Sequence, residues 1–586
     1  MGTTEMWEQK KQREYPLLSR AEIEALIADG RYIFILDQFV VKADAWLKYH
    51  PGGEKAIAHM VGRDATDEVT ALHSAEARRM MDRYRIGRIE GRWLNFLPPI
   101  QGGRFRRVAK SDMEVTSDSD RCPPIETDSS ASSTPRSASP LFDPVESGYR
   151  FRSRQRVTTS VTPSSTPAST ISSADEEELG NPTKLKEDEV FYDGMTYLDS
   201  ETRKEIRLDL DKYPSLDGDV QARVVERYRL LNEKIKSEGL YNCNYAAYAI
   251  EVSRYTILFG LMLLFLRLGY YALSAFFLGA FWHQLVFSAH DAGHMGITHN
   301  FHVDTIIGII IADFFGGLSL GWWKRNHNVH HIVTNAPEHD PDIEHLPFFA
   351  ISHRFLLSLR STYYDRVMKY DAFAKFFVSL QAYLYYIILL FGRFNLYRLS
   401  WEYLLLGQAP RKGPAWWHRW LEIAGNVVFW TWFGYGILYR CIPTAWDRFV
   451  FVMVSHMVTA PLHLQITLSH FAMSTADLGP AESFPQRMLR TTMDVDCPQW
   501  LDFFHGGLQF QAIHHLFPRI PRHNLRRTQR LIQEFCNDVG IPYALYGFVR
   551  GNQEVLGRLA DVSRQAAILA KCMRVVSGDP VLPHSH

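Results

Sequence analysis

The alternation of apolar and polar positions divides the chain into three unlike stretches. In residues 1–100, Tyr32-Ile33-Phe34-Ile35-Leu36 predicts a buried strand, and the short charged segments after it complete a small α+β domain. Residues 101–190 turn abruptly to Ser, Thr and Pro, as in Ser129-Ser130-Ala131-Ser132-Ser133-Thr134-Pro135, with a basic patch at Arg152 to Arg156. So few apolar side chains cannot offset the entropy of ordering, and this stretch reads as a disordered linker.

Residues 191–586 carry recurring apolar runs. Ala246 to Ala289 is long enough for two successive helices of roughly 20 residues, the length a bilayer core requires, with Arg267 near their connection. Further runs are Ile306 to Trp323, Phe376 to Phe391, Ile423 to Leu438 and Phe449 to Leu468. Asp313 and several glycines interrupt the first of these, and the second is short and rich in tyrosine, so both are expected at the interface or against protein. Trp322-Trp323 followed by Lys324-Arg325 suits a headgroup boundary.

Charge and cysteine content narrow the setting. Lys+Arg and Asp+Glu both number 64, so no net field draws in nucleic acid. The six cysteines lie far apart, without metal-knuckle or disulfide spacing, and read as reduced thiols of a protein facing cytosol. The charged segment Met1 to Tyr15 lacks an apolar signal core, so membrane insertion is expected to use the internal runs.

The chemistry lies in the histidines. His50-Pro51-Gly52-Gly53 and Ala71-Leu72-His73-Ser74 place two imidazoles 23 residues apart, each beside a turn or short helix. Such a pair can fill both axial positions of a haem, which then carries electrons singly and has no site for oxygen. Nine of the 24 histidines fall between His290 and His345, where an even spread would put about two. His290 and His294 share one helical face at i and i+4, and His327, His330 and His331 repeat that face at i, i+3 and i+4. Gln511-Ala512-Ile513-His514-His515 repeats the pattern with glutamine first, and His470 ends the last apolar run. Asp291 follows His290, so the H-E-x-x-H of a zinc protease is missing. About eight nitrogens exceed the needs of one zinc and suit two irons with positions open for O₂. His299, His302, His339, His345 and His505 stay open as neighbours of these metals. For the three boxes to meet, they must lie on one side of the bilayer, the side of the amino-terminal domain. That assigns Ile423 to Leu438 and Phe449 to Leu468 as the third and fourth crossings and leaves Phe376 to Phe391 peripheral.

The first 15–95 residues around His50 and His73 resemble the cytochrome b5 family, with Val69 where that family often has an aromatic residue. The boxes H-x-x-x-H, H-x-x-H-H and Q-x-x-H-H resemble the membrane fatty acyl desaturases, and the glutamine variant with a fused haem domain is similar to their front-end branch. Within it, the Ser/Thr/Pro insertion looks most like that of fungal Δ8-(E)-sphingolipid desaturases. Ala512-Ile513 departs from the Ile-Glu or Leu-Glu pair common there. The resemblance implies an all-α polytopic membrane domain with about four transmembrane helices and a cytosolic histidine-rich cap, in the endoplasmic reticulum membrane. It implies haem b on His50 and His73, and two non-haem irons on His290, His294, His327, His330, His331, His514 and His515, with His470 and Gln511 as further ligands. It further implies O₂-dependent desaturation at C8–C9 of the long-chain base of ceramide, with electrons from NADH-cytochrome b5 reductase. A front-end fatty acyl-lipid desaturase, a sphingolipid hydroxylase and a membrane haem electron carrier without catalysis of its own remain the alternatives.

Overall fold

The computed structural model describes residues 14–107 and 194–577; the expected linker lies outside the described residues from 108 on. Alternation in Ile33-Phe34-Ile35-Leu36 sends side chains to two faces, and both are buried. This strand, β1 (Ile33–Leu36), pairs antiparallel with β2 (Phe39–Lys42), which pairs with β3 (Arg85–Arg88). Asp37 and Gln38 both take positive φ (49° and 64°), making a two-residue turn whose twist matches the strands it joins. Helix α1 (Arg20–Ala28) starts at a Ser19/Glu22 capping box and lays Ile23 and Ile27 on Ile33 and Ile35. Phe34 and Leu36 face the other way, into a cluster with α2 (Glu54–Ala58), α3 (Thr66–Leu72) and α4 (Ala75–Met81). Val329, Ile332 and Val333 of the second domain complete that cluster, so the two domains share one apolar contact.

Helices α5 (Gly194–Lys212) and α6 (Gly218–Ser237) precede the long apolar pair α7 (Tyr245–Arg267) and α8 (Tyr271–Gly293). Ile250, Val252, Ile257, Leu263 and Leu264 of α7 are exposed, a surface that lipid rather than water satisfies. Helix α9 (Phe301–Ile309) runs into a π-helical stretch, Ile310–Phe315, after which the chain bends by 117° into α10 (Leu320–Ile332). The bend explains the acidic residue within an apolar run. Asp313 accepts from Leu320 N–H at 3.3 Å and from Asn426 Nδ2 at 2.8 Å, while Glu422 accepts from Gly321 N–H at 3.0 Å and from the Ser319 hydroxyl. Two buried carboxylates thus cap the positive end of α10, and the run makes no single straight crossing, as expected.

The chain continues through α11 (Ala372–Leu389), α12 (Gly392–Leu405), α13 (His418–Phe429) with a π-helical continuation (Trp430–Cys441), α14 (Ala445–Met457) and α15 (Ala460–Phe471). Length and apolarity alone admit four spans, as expected in number: α7, α8, α11 and the α14–α15 pair. The membership differs, because the Ile423 to Leu438 run is divided between α13 and its π continuation, and α11 passes in its stead. Packing sorts the helices differently. Met262, Leu278, Phe281, Phe433, Ile437 and Phe451 unite α7, α8, the α13 continuation and α14 in one cluster. A Cβ on Gly279 would lie 2.5 Å from Ser455 O, so α8 and α14 touch backbone to backbone there. Helix α11 instead places Val378 and Tyr385 in a cluster with Val555 and Leu559 of the C-terminal helix.

A polar-faced cap covers the end of the bundle where the boxes lie. It comprises α16 (Phe484–Thr491), the one-turn α17 (Asp502–His505), α18 (Gln511–Leu516), α19 (Arg522–Val539) and α20 (Phe548–Ser577). Arg490 is buried within it on Glu482, at 2.7 and 2.9 Å, and on Asp209 at 2.9 Å. The five described cysteines are free thiols.

Replacing Asp313 by alanine leaves the first amide of α10 without its acceptor and takes one of two bonds from Asn426 Nδ2, which should cost about 1–3 kcal/mol. Thermal unfolding of the detergent-solubilised protein should show a lower midpoint for Asp313→Ala; an unchanged midpoint contradicts the capping role.

Candidate metal centres

In the amino-terminal domain, His50 follows a 3₁₀ turn, Leu47–Tyr49, and His73 is the residue that ends α3. Gly53, at φ 82°, turns its carbonyl back onto His50. His50 Nδ1 donates to Gly53 O at 2.9 Å and His73 Nδ1 to Val69 O at 3.2 Å, which leaves Nε2 of each ring as its free ligand atom. The rings face each other with centroids 5.9 Å apart and planes 29° from parallel. Two metal–imidazole bonds of about 2.0–2.1 Å in line, plus the half-widths of two rings, span about 6 Å. Desolvation lowers the basicity of both, His73 to about 3, so both are neutral donors at physiological pH. Val69 lies in the apolar cluster on this side of the sheet. The residues fit a haem with two protein axial ligands.

The three boxes converge at the cap. Box one closes α8, box two lies on α10, box three on α18, and His470 is one residue from the end of α15. Ligand nitrogens of His290, His294, His327 and His514 lie within 4.8 Å of one another, and those of His330, His470 and His515 form a second group to the same limit. His331 joins the two: its Nε2 is 3.1 Å from His327 Nε2, and its ring stacks on His515 at 4.3 Å. Gln511 opens α18, buried, one turn before His514 and His515.

Whether these residues suit metal ions can be read from their unmet bonding. His294 Nε2, His331 Nδ1, His470 Nδ1, His514 Nε2 and His515 Nε2 are buried without a hydrogen-bond partner. Other nitrogens are held by an outer set of groups. His330 Nδ1 meets Asp340 at 2.8 Å and His327 Nδ1 meets Asp342 at 3.3 Å, an arrangement that orients an imidazole toward a metal. Thr334 Oγ1 lies 3.3 Å from His515 Nδ1, and Asn335 Nδ2 donates to His470 O at 2.9 Å. Desolvation drives the basicity of His331, His514 and His515 far down, leaving neutral rings with lone pairs to give. For His330 the same burial is outweighed by Asp340 and Asp342, which raise it. Two adjacent groups of imidazole nitrogen donors, with carboxylates behind His327 and His330, fit two transition-metal ions.

Other histidines left open by the sequence lie outside both groups. His299 uses both nitrogens on backbone carbonyls, Met295 O at 2.8 Å and Tyr241 O at 2.7 Å. His339 Nδ1 meets Thr362 Oγ1 at 3.0 Å, and His302 stacks on Trp417. His345 packs against Phe471, and His505 packs against Phe504 and Phe548.

Four contributors escaped the sequence reading. Asp340 and Asp342 sit nine and eleven residues beyond box two, yet the loop returns them to it, and the Asp-Pro-Asp pairing was the available signal. Trp323, expected near a headgroup boundary, also reaches the cage. Its ring stacks on His327 at 4.6 Å and lies 5.3 and 5.4 Å from His290 and His294, as its i, i+4 relation to His327 would allow. Arg522 binds Asp291, the neighbour of His290, and Glu251 of α7, tying α19 to box one.

Residues 19–90 match the cytochrome b5-like heme/steroid binding domain family, and residues 268–547 match the fatty acid desaturase family. The Delta 8-(E)-sphingolipid desaturase of Emericella nidulans is 62% identical over 97% of this chain and 98% of its own length. That of Kluyveromyces lactis is 48% identical over 96% and 95%. The Delta(8)-fatty-acid desaturase of Helianthus annuus is 40% identical over 50% of this chain and 63% of its own. With a paired-histidine domain fused to a caged-histidine membrane domain, and these relatives matching nearly end to end, the chain belongs to the Delta 8-(E)-sphingolipid desaturase family.

Proposed function

We propose that the chain introduces a double bond between C8 and C9 of the long-chain base of ceramide, using O₂ and electrons delivered through its own haem domain. The observation that carries this reading is the pair of adjacent histidine groups, with unmet buried nitrogens, gathered from four helices, one of which, α10, contacts the haem domain with its other side. His290, His294, His327 and His514 would hold one iron, and His330, His470 and His515 the other, with His331 between them. Two irons in that cage supply O₂ activation for removal of hydrogen from neighbouring methylenes. The chain's own residues do the rest. Asp340 and Asp342 keep the Nδ1 protons of His330 and His327 and so aim Nε2 inward. Gln511 stands beside box three as a further oxygen donor. Regioselectivity follows from a polar headgroup held at the interface and a chain threaded to fixed depth.

The substrate class rests on the names of the relatives in Emericella nidulans and Kluyveromyces lactis, both sphingolipid desaturases. A fatty acyl substrate is favoured by the name of the relative in Helianthus annuus. We place the bundle in the endoplasmic reticulum membrane with cap and haem domain on the cytosolic side. There NADH-cytochrome b5 reductase would supply the electrons.

Membranes containing the chain, fed a ceramide with a C8-saturated base, should yield a base two mass units lighter with the new bond at C8. A product sixteen units heavier identifies a hydroxylase, and a desaturated acyl chain identifies the acyl-lipid reading. His327→Ala should abolish product with the haem absorbance intact, and retained product contradicts the ligand assignment. Asp340→Asn should weaken metal binding by about 10–100-fold, read as metal retained per haem after dialysis against a chelator. Metal retention equal to that of the parent removes Asp340 from the site. His50→Ala should lose the haem spectrum and, with reductase but no separate carrier, turnover as well; undiminished turnover contradicts the fused donor.

A further inference from the structure

Helix α10 has two working sides. Its positions 323, 327, 330 and 331 face the metal cage, as the ring contacts of Trp323 and the three histidines show. At 100° per residue, positions 325, 328, 329 and 332 fall on the opposite side, and these meet the haem domain. Gly53 fits against Arg325 and Gly52 against Asn328, where a Cβ would come within 2.9 and 2.7 Å. Val329 and Ile332 join the apolar cluster of Phe34, Met60 and Val69. Around this contact run ion pairs between domains: Asp67 with Arg229 at 2.7 Å, Glu68 with Arg487 at 3.4 Å, and Lys55 with Asp365 at 2.7 Å. Arg519 adds a bond to His73 O at 3.1 Å.

Lys324 lies on the border between the two sides. It is only 9% exposed, and its ammonium makes no hydrogen bond. Its nearest compensation is the Phe301 ring at 5.3 Å and the field of Asp304. A buried ammonium without a hydrogen-bonded anion is costly, so the side chain is poised for one. Its charge is felt by both His50 and His73, and it lines a small open cleft with Pro51 of the histidine loop.

We infer that Lys324, a residue of the membrane domain, is the counter-ion for a carboxylate of the haem held by His50 and His73, so that the haem site is completed across the domain boundary. The inference rests on the haem reading of His50 and His73. Haem b carries two carboxylates on one edge, and an ammonium from α10 would turn that edge toward the helix that bears box two. Lys324 is thus a positioning residue, and it favours the reduced haem by neutralising negative charge beside it.

The test uses the full-length haem-loaded protein in detergent. The parent spectrum is read first, and absence of a haem with two axial imidazoles overturns the haem reading itself. With haem bound, Lys324→Met should keep that spectrum while its midpoint potential, measured by spectroelectrochemistry, moves negative and haem loss to an excess of apomyoglobin quickens. Lys324→Arg, which keeps the charge, should restore most of both. Potential and haem loss equal to the parent's in Lys324→Met overturn the inference and leave Lys324 to Phe301 and Asp304 alone. Should Lys324→Met fail to fold, Lys324→Gln serves in its place with the same two outcomes.

Discussion

Packing eight imidazoles in ring contact, six of them buried, is the constraint on which the rest of this architecture depends. Each ring brings two nitrogens that lose water on folding, and five of those nitrogens find no protein partner. At about 1–3 kcal/mol for each unmet group, the deficit rivals the entire net stability of a domain, about 5–15 kcal/mol. A fold that keeps such an interior needs something else to accept those lone pairs, and metal ions do so. The same constraint explains the surroundings. Asp340, Asp342, Thr334 and Asn335 bind the outward side of the cage, and Arg522 fixes Asp291 next to His290. The cap exists to bring α10, α15 and α18 to the end of α8.

The boxes were legible in the sequence because helical spacing is local: His290 with His294, and His327 with His330 and His331, share a face by arithmetic alone. His470 was legible as the polar end of an apolar run, and His50 with His73 through the turn and short helix beside them. The outer groups were not legible, since Asp340 and Asp342 reach the cage only through a loop whose path periodicity does not describe. The contact of Trp323 with the cage was hidden for a related reason. An aromatic pair beside basic residues reads as an interface, and nothing local reveals that the helix under it has turned by 117° into protein. Asp313 was recognised as incompatible with a simple span, but its partner Glu422 lies 109 residues away. The Ile423 to Leu438 run, expected as a crossing, is divided between α13 and a π-helical continuation, a break that apolarity alone does not reveal.

The relation between domains is likewise invisible to pattern. Acidic α3 of the haem domain finds Arg229 and Arg487, and an apolar patch finds Val329, Ile332 and Val333. The docked arrangement makes one helix the wall of both centres, so electrons have a short protein path within a single chain. The seated contact, built from ion pairs and a small apolar patch, is of the kind that can open and close.

The central claim, that separated histidines form one cage for two non-haem metal ions, is tested most directly by the ratio of non-haem iron to haem in the purified full-length protein. Two non-haem irons per haem are predicted. A protein that binds haem fully yet holds one non-haem iron, or none, would contradict it.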